Sequence, residues 1–169
     1  EVKKGEPQLL FVGNLHPYKN IKKLLEKIPI IKKSFPNIHL QIVGEGKQSL
    51  ILKQLVIKMQ IEKNVEFLGN IKHEKLKNIY NSSDIYISAS ILEANPLPPL
   101  EAMACGKPVL LSNIEPHKEI IVNSNGGLLF SFEENNIIEK IKIIFDNKKD
   151  FGDKGRKFAE KQDWINVSK

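Results

Sequence analysis

Two glutamates eight positions apart, Glu93 and Glu101, bracket the segment with the strongest chemical content. Glu93 ends the apolar run DIYISASILE, and a loop with three prolines separates it from the helix-forming residues LEAMA. Proline is tolerated in the first turn of a helix, where backbone N–H groups have no partner within the helix. The sequence therefore predicts a helix that begins near Pro98 and directs its partly positive end towards Glu93.

The predicted helix end favours a phosphate or another anion. Carboxylates accept hydrogen bonds from hydroxyl groups, so two of them beside an anion site suit a ligand that is both a diphosphate and a polyol. Nucleotide-sugars combine these two groups. The residue types therefore point to a nucleotide-sugar, with Glu93 and Glu101 as its acidic contacts.

The first strand-to-helix turn, VGNLHPYKN, contains a second candidate group, Gly13, His16 and Lys19. A lysine six positions after a strand-end glycine can place its ammonium over a phosphate. A turn with a solvent-exposed lysine explains the same pattern, so the motif alone leaves both interpretations open. His16 is interpreted as a loop histidine.

The turn after the second strand, VGEGKQS, resembles part of a dinucleotide-binding fingerprint. It lacks the third glycine and does not follow the first strand, so the pattern disfavours a dehydrogenase. No glycine is followed by Lys-Ser or Lys-Thr, so the sequence also lacks the P-loop pattern of nucleoside triphosphatases.

The titratable side chains predict neither a metal nor another cofactor. The four histidines lack the spacing of metal ligands, and no Asp-x-Asp pair is present to hold a divalent cation on a diphosphate. The single cysteine, Cys105, lies in the apolar run AMACG and is interpreted as a buried thiol rather than a nucleophile.

The net charge of +6 comes almost entirely from lysine, because Arg156 is the only arginine. The lysines lie on predicted helix faces among isoleucine and leucine, which indicates a solvated surface, with weak attraction to anionic lipid as the alternative. The pattern argues against nucleic acid. No apolar run reaches ~18–20 residues and no signal peptide is visible, so we expect a cytoplasmic protein, with contact to the inner face of the cell membrane as the alternative.

Short apolar runs alternate with longer helical patterns along the chain. The predicted strands are 8–13, 39–44, 65–69, 84–90, 107–112 and 126–130. The predicted helices are 19–34, 47–60, 73–81, 99–105, 116–121, 133–147 and 150–164, with Pro29 bending or interrupting the first. This alternation predicts one α/β domain over residues 1–169, a Rossmann-like, doubly wound parallel sheet of about six strands with helices on both faces.

Ligands of such sheets bind beyond the carboxyl ends of the strands. The predicted ends are Gly13, Gly44, Gly69, Ser90 and Ser112. Glycine at three of them either lets a backbone come close to a ligand or simply makes a turn, and the sequence does not separate the two.

Taken in order, these motifs resemble the C-terminal half of glycosyltransferase family 4, retaining enzymes with the two-domain GT-B fold. The resemblance rests on VGNLHPYKN, IVGEG, VEFLGNI, SASILEANPLPPLEAMACGKPVL, PHKEII and NGGLLF, and runs from about residue 8 to Trp164. It implies a domain that binds a UDP-, GDP- or ADP-linked sugar without a metal. It also implies that the N-terminal acceptor-binding domain is absent from this chain.

The resemblance further implies roles for individual residues. Glu93 and Lys19 would be the catalytic pair, with Glu93 holding donor-sugar hydroxyls at the reacting face and Lys19 neutralising the diphosphate. The other donor contacts would be Gly13 against the diphosphate, Glu101 on the ribose, Ile71 meeting the nucleobase through its backbone, and the backbone N–H groups of Asn95 and Leu97 facing the phosphates or sugar.

Three departures from the family pattern bear on activity. Asn14 occupies the donor-binding position where the family usually has arginine, which removes one bidentate contact. EANPLP replaces the usual Glu-Gly-Phe-Gly-Leu-Pro run, and neither Pro96 nor Pro99 offers an N–H. The third is the acceptor-binding domain. We therefore expect this chain alone to bind donor weakly and to transfer little or nothing.

Three functions follow from these observations. The first is the donor half of a retaining glycosyltransferase of the hexosyltransferase type, which moves a sugar to a glycan or lipid-linked acceptor in surface polysaccharide synthesis. The second is a non-catalytic module that binds a nucleotide-sugar or a partner. The third, disfavoured by the glutamate-flanked segment, is half of a sugar-nucleotide epimerase.

Overall fold

A computed structural model of the protein describes residues 4–161 of the 169-residue chain, and its centre is a six-stranded parallel sheet. In chain order the strands are β1 (Gln8–Val12), β2 (His39–Val43), β3 (Val65–Gly69), β4 (Ile85–Ser88), β5 (Val109–Ser112) and β6 (Gly127–Phe130). Their spatial order is β3-β2-β1-β4-β5-β6, so the direction of winding reverses between β1 and β4. The predicted Rossmann-like fold is confirmed.

Within the described residues, a 3₁₀ turn (Pro17–Lys19) and five α-helices connect the strands, and two further helices follow β6. The helices are α1 (Ile21–Ser34), α2 (Ser49–Lys58), α3 (His73–Ser82), α4 (Leu97–Ala104), α5 (Glu115–Ser124), α6 (Ile137–Asp146) and α7 (Lys148–Lys161). Each predicted helix is present with shifted ends. α6 begins four residues later than predicted, where Asn136 Oδ1 accepts the Ser131 N–H at 3.0 Å and holds the preceding segment in a turn. The predicted helix beyond residue 161, and Trp164, lie outside the described residues.

Two hydrophobic layers cover the two faces of the sheet. Neighbouring strand residues alternate between them, as Leu9 and Leu10 do on β1. Helices α1, α2 and α6 pack on one face, whereas α3, α4, α5 and α7 pack on the other. The doubly wound arrangement leaves the carboxyl ends of the strands as the open edge where the loops can form a site.

Helix α1 continues through Pro29, which was predicted to bend or interrupt it. Pro29 lies on the exposed side, while the opposite side buries five apolar residues against the sheet: Ile21, Leu24, Leu25, Ile28 and Ile31. Tertiary packing of an apolar face supplies most of a helix's stability in a protein. That packing here outweighs the lost backbone hydrogen bond at proline.

Close backbone contact explains the glycine at the end of β2. Gly44 has φ of +118°, and a Cβ there would lie 2.1 Å from the Gly13 carbonyl oxygen. Its N–H donates to the Gly69 carbonyl at 2.8 Å, while the Gly13 N–H donates to the Val43 carbonyl at 3.0 Å. The loops after β1, β2 and β3 are therefore joined into one edge, and the close approach at Gly44 is between backbones of the protein itself.

Two buried glutamines interrupt the apolar strands. Gln8 Nε2 donates to Gln41 Oε1 at 3.1 Å, and Gln41 Nε2 donates to Glu66 Oε2 at 3.2 Å. The Lys4 ammonium binds the other oxygen of Glu66. A buried polar group is tolerated when it has hydrogen-bond partners. This row of side chains crosses β1, β2 and β3, and the amides of Gln8 and Gln41 both have partners in it.

Candidate functional site

The candidate site lies where the sheet reverses its winding, at the carboxyl ends of β1 and β4. The chain that leaves β1 enters the 3₁₀ turn carrying Lys19, and the chain that leaves β4 enters the loop carrying Glu93. The Ile91 N–H donates to the Tyr18 carbonyl at 2.8 Å, which ties the two loops together. In open α/β sheets, ligands bind in the crevice at this reversal.

Lys19 and Glu93 form an ion pair between the two loops, with 2.6 Å from Nζ to Oε1. Their side chains are only 14% and 11% exposed. The same carboxylate oxygen accepts the Ser90 hydroxyl at 2.7 Å. Of the two interpretations that the motif left open, the solvent-exposed lysine is therefore wrong: Lys19 is half-buried and paired with the half-buried carboxylate of Glu93.

A hydrogen-bonded chain supports the Glu93 loop from the neighbouring strand end. The Ser112 hydroxyl donates to the Ser90 carbonyl at 2.5 Å. His117, on α5, contacts the Ser112 carbonyl through Nδ1 at 2.9 Å and the Ser112 hydroxyl at 3.1 Å. Strand β5 and helix α5 thus hold the loop that carries the candidate carboxylate.

His117 is fully buried, and sequence reasoning treated it as one of four scattered histidines. A carbonyl oxygen only accepts, so Nδ1 carries the proton and Nε2 is left as an acceptor. Nε2 is buried without a hydrogen-bond partner among the described residues. Burial lowers the pKa of His117, so the neutral ring is favoured. The sequence indicated a role for His117 only through its position, five residues after Ser112 at the end of β5.

Glu101 lies on α4 and accepts the Tyr80 hydroxyl at 2.8 Å. Burial raises the pKa of Tyr80 far above its ordinary value, which keeps the phenol a donor. Tyr86, fully buried on β4, has its pKa raised by burial and then by the negative charges of Glu93 and Glu101. Both carboxylates therefore favour the neutral form of the same phenol.

Helix α4 begins at Leu97, one residue before the predicted start. The Leu97 N–H donates to the Asn95 carbonyl at 3.0 Å, and Pro98 and Pro99 have no N–H. The first turn thus offers fewer open donors than predicted. Asn95 is exposed. The donor-binding roles of Asn95 and Leu97 stay predictions, and for Leu97 the bond to Asn95 would first have to open.

The remaining candidate residues follow β1 and β3. A Cβ at Gly13 would lie 3.9 Å from Lys19 Cε, so this glycine borders the lysine. Asn14 is exposed beside it. Ile71 is half-buried between β3 and α3, and β3 lies two strands from β1. Ile71 therefore sits at the far end of the edge at which Lys19 and Glu93 meet.

An apolar rim, which sequence reasoning did not identify, borders the ion pair. Its exposed members come from the 3₁₀ turn, the loop after β4 and the start of α4, and they are Tyr18, Ile91, Leu92 and Leu97. The Tyr18 ring lies 5.3 Å from the Lys19 ammonium and stacks on His16. The polar pair is thus bordered by a surface suited to an apolar or aromatic group.

The described residues contain no group of three His, Cys, Asp or Glu side chains that could hold a metal ion. The absence of a metal cofactor stays a prediction. Cys105 is half-buried rather than buried, and burial raises the pKa of its thiol. Among residues 4–161, no helix is long and apolar enough to cross a bilayer.

A cavity of about 420 Å³ lies away from these residues, before β4 and β5 at the amino-terminal edge of the sheet. Its lining includes Asn81, Lys107 and Lys148. None of the candidate residues borders it. The cavity has its own ion pair, Lys148 with Asp84 at 2.9 Å, but it lies at the opposite edge of the sheet from Lys19 and Glu93.

The chain matches the family model for glycosyl transferases group 1 over residues 1–162. An uncharacterized glycosyltransferase of Haemophilus influenzae is 36% identical over 135 residues, which are 79% of this chain and 37% of that protein. The solved structure of Anabaena HepE in complex with UDP-glucose has a TM-score of 0.78 and 21% identity, over 92% of this chain and 44% of HepE. The C-terminal domain of a group 1 glycosyl transferase, LpcC of Francisella tularensis, has a TM-score of 0.78 and 23% identity, over 93% of this chain and 86% of the LpcC chain.

The alignment covers about a third of the Haemophilus relative but most of the LpcC domain, which was solved separately. Likeness at this level of identity shows the fold. The architecture is that of the C-terminal domains of GT-B glycosyltransferases, as the resemblance implied.

Proposed function

Because the chain belongs to the group 1 glycosyltransferases, we propose that the loops after β1 and β4 bind the diphosphate and sugar of a nucleotide-sugar donor. The observation that carries the proposal is the Lys19–Glu93 pair at the reversal of winding. It places a cation and a carboxylate where ligands of such sheets bind. HepE, of the same fold, was solved with UDP-glucose.

In the proposed complex, the diphosphate replaces Glu93 as the partner of Lys19. An ammonium is a strong donor to phosphate oxygens, and a doubly charged group competes well with one carboxylate. The released Glu93 accepts hydrogen bonds from the sugar hydroxyls, while the Ser90 hydroxyl keeps its side chain oriented. One ion pair thus provides both a phosphate contact and a sugar contact.

The rest of the donor extends along the same edge. Gly13 lies against the diphosphate, and its lack of a side chain leaves room beside Lys19. Glu101 binds the ribose hydroxyls while Tyr80 fixes its orientation. The backbone near Ile71 meets the nucleobase. Asn95 and Leu97 offer N–H groups to the phosphates or sugar once the bond within their turn opens.

The proposed reaction is retaining transfer of a hexose. The bond between the anomeric carbon and the diphosphate oxygen breaks, the acceptor hydroxyl attacks from the same face, and its proton passes to the departing diphosphate oxygen. Lys19 and the positive end of α4 stabilise the charge that develops on the departing nucleoside diphosphate. Lys19 and the α4 end, rather than a metal ion, would stabilise the departing diphosphate.

The acceptor is proposed to be a glycan or a lipid-linked sugar in surface polysaccharide synthesis at the cytoplasmic side of the membrane. The exposed apolar rim beside the ion pair supports an acceptor-binding domain across the crevice. Because the chain covers about a third of its first relatives, we expect it alone to bind donor weakly and to transfer little.

A non-catalytic nucleotide-sugar module is the second candidate function. Asn14 supplies no charge beside the diphosphate position, and the first turn of α4 offers few open N–H groups. Joining this chain to the acceptor-binding domain of a relative separates the two candidates. Sugar transfer by the joined protein supports the enzyme, whereas nucleotide-sugar binding without transfer supports the module.

Calorimetric titration with UDP, GDP, ADP and UDP-glucose tests donor binding itself. Lys19→Met should weaken binding of the preferred nucleoside diphosphate about tenfold or more, because it removes a charge-assisted hydrogen bond of about 1.5–3 kcal/mol. Lys22→Met is the matched control, since Lys22 is exposed on α1. Equal affinities for both variants and the unmodified chain would show that Lys19 is not a diphosphate ligand.

A further inference from the structure

Helix α2 presents an apolar surface that no described part of the chain covers. Leu50, Ile51 and Ile57 are 71%, 62% and 63% exposed, although the opposite side of the same helix buries Leu52 and Val56 against the sheet. A surface helix in a globular protein normally has one apolar side and one polar side. Here both sides are apolar, and only one of them is used by the fold.

Lysines lie among these exposed apolar side chains. Lys53 is three positions after Leu50 and four before Ile57, so it neighbours both on the helix surface, and its ammonium lies 5.9 Å from the Phe67 ring on β3. Lys47 and Lys58 lie at the two ends of the helix and are also exposed. The surface formed by Lys47, Leu50, Ile51, Lys53, Ile57 and Lys58 is called the α2 face below. Segment 47–60 contains no acidic residue.

From this composition we infer that the α2 face docks on the surface of an anionic lipid bilayer. Protein interfaces are depleted in lysine and rich in tyrosine, tryptophan and arginine, none of which occurs in segment 47–60. Interfacial helices instead combine aliphatic residues with lysines, whose ammonium groups reach the lipid headgroups while their stems lie on apolar surface. The α2 face has the second composition.

The neighbouring helix extends the positive charge. Helix α1 packs beside α2 and has five lysines but one glutamate, Glu26. Each lysine close to an anionic leaflet strengthens binding by about fivefold, and this contribution falls off within a Debye length. With three aliphatic side chains to insert, the contact should be weak, reversible and sensitive to salt.

The α2 face begins beside the candidate site. The Gln48 N–H donates to the Leu15 carbonyl, and the Leu15 N–H donates to the Glu45 carbonyl, each at 3.0 Å. The turn before α2 is thus bonded to the loop that carries Lys19. Docking through α2 would bring that loop to the headgroup region, where a lipid-linked acceptor is presented; this last step rests on the proposed function, but the docking does not.

Sedimentation with vesicles tests the inference without any nucleotide. The chain should bind vesicles that contain about a third phosphatidylglycerol and bind pure phosphatidylcholine vesicles at least tenfold more weakly. Leu50→Gln/Ile57→Gln should lower binding to the anionic vesicles about tenfold or more, because it removes most of the insertable surface. Val122→Gln is the matched control, since Val122 is 73% exposed on α5, on the other side of the sheet.

A second pair of variants separates charge from insertion. Lys53→Gln/Lys58→Gln should weaken binding more than tenfold at low salt, whereas Lys149→Gln/Lys157→Gln, exposed on α7, should leave it nearly unchanged. Melting temperatures check that each variant folds. No binding to anionic vesicles, or equal losses for variants and controls, would overturn the inference. So would a dimer that Leu50→Gln/Ile57→Gln dissociates, since the occupant would then be a second copy of the chain.

Discussion

Removing the Lys19–Glu93 ion pair one partner at a time gives a direct measure of how the candidate site is held. Loss of one partner from a buried pair costs about 3–5 kcal/mol, because the other charge stays uncompensated. Both side chains retain slight exposure, so we expect the lower end, about 3 kcal/mol, for Lys19→Met. Glu93→Gln keeps an oxygen for Ser90 and Lys19 and should cost about 1–2 kcal/mol.

The double variant Lys19→Met/Glu93→Gln removes both charges and should be more stable than the sum of the single effects predicts. We expect a coupling of at least about 1 kcal/mol in the double-mutant cycle. Urea unfolding of the four proteins measures it, and Lys19→Met alone should lower the melting temperature by about 6–12 °C. Effects that add to within about 0.5 kcal/mol would refute a shared buried charge.

Nucleotide binding by the same four proteins gives the second readout. Glu93→Gln replaces the charged partner of Lys19 by a neutral oxygen that holds the ammonium less tightly, so UDP, if it is the preferred nucleotide, should bind severalfold more tightly to this variant. Lys19→Met should bind it more weakly. Opposite signs for two neighbouring substitutions are a result that general loss of structure does not produce. Equal weakening by both would contradict the exchange of partners at Lys19.

Three further outcomes are expected. Burial lowers the pKa of His117, so its contribution to stability is fully present above the ordinary value of 6.5 and is lost as the pH falls towards the folded-state pKa. His117→Phe should therefore make the melting temperature less dependent on pH below 6.5, and His39 should supply the remaining dependence. Gly44→Ala should cost about 3 kcal/mol or more in urea unfolding, while Gly106→Ala, with open space at its Cβ, should cost about 1–2 kcal/mol. Burial raises the pKa of Cys105, so Ellman's reagent should label the native thiol at least about tenfold more slowly at neutral pH than the urea-unfolded one.

Local pattern was enough to predict the elements of the sheet and the edge at which Lys19 and Glu93 meet. Apolar runs of strand length alternating with helical periods fixed the class, and parallel strands bring their carboxyl ends to one edge, so Lys19 and Glu93 were expected together. Their 2.6 Å contact agrees. Pro29 does not interrupt helix α1, because five buried side chains hold the helix together through it.

Contacts between segments that are distant in the sequence could not be predicted from local pattern. The Gln8–Gln41–Glu66 row depends on the pairing of three strands, and a polar residue inside an apolar run does not reveal its partner. The contact of His117 with Ser112 supports the Glu93 loop only because β5 pairs with β4, which places Ser112 against Ser90. The bond from Leu97 to Asn95 depends on backbone geometry in a proline-rich turn.

The Ser112 hydroxyl on the Ser90 carbonyl has a consequence for exchanging segments between related proteins. A chimera that imports only the β5–α5 junction from a relative without a hydroxyl at position 112 would lose this bond, and with it one support of the loop that carries Glu93. Segments 89–96 and 112–117 should therefore be transplanted as one block, and a chimera with both should keep a melting temperature that either single graft lowers.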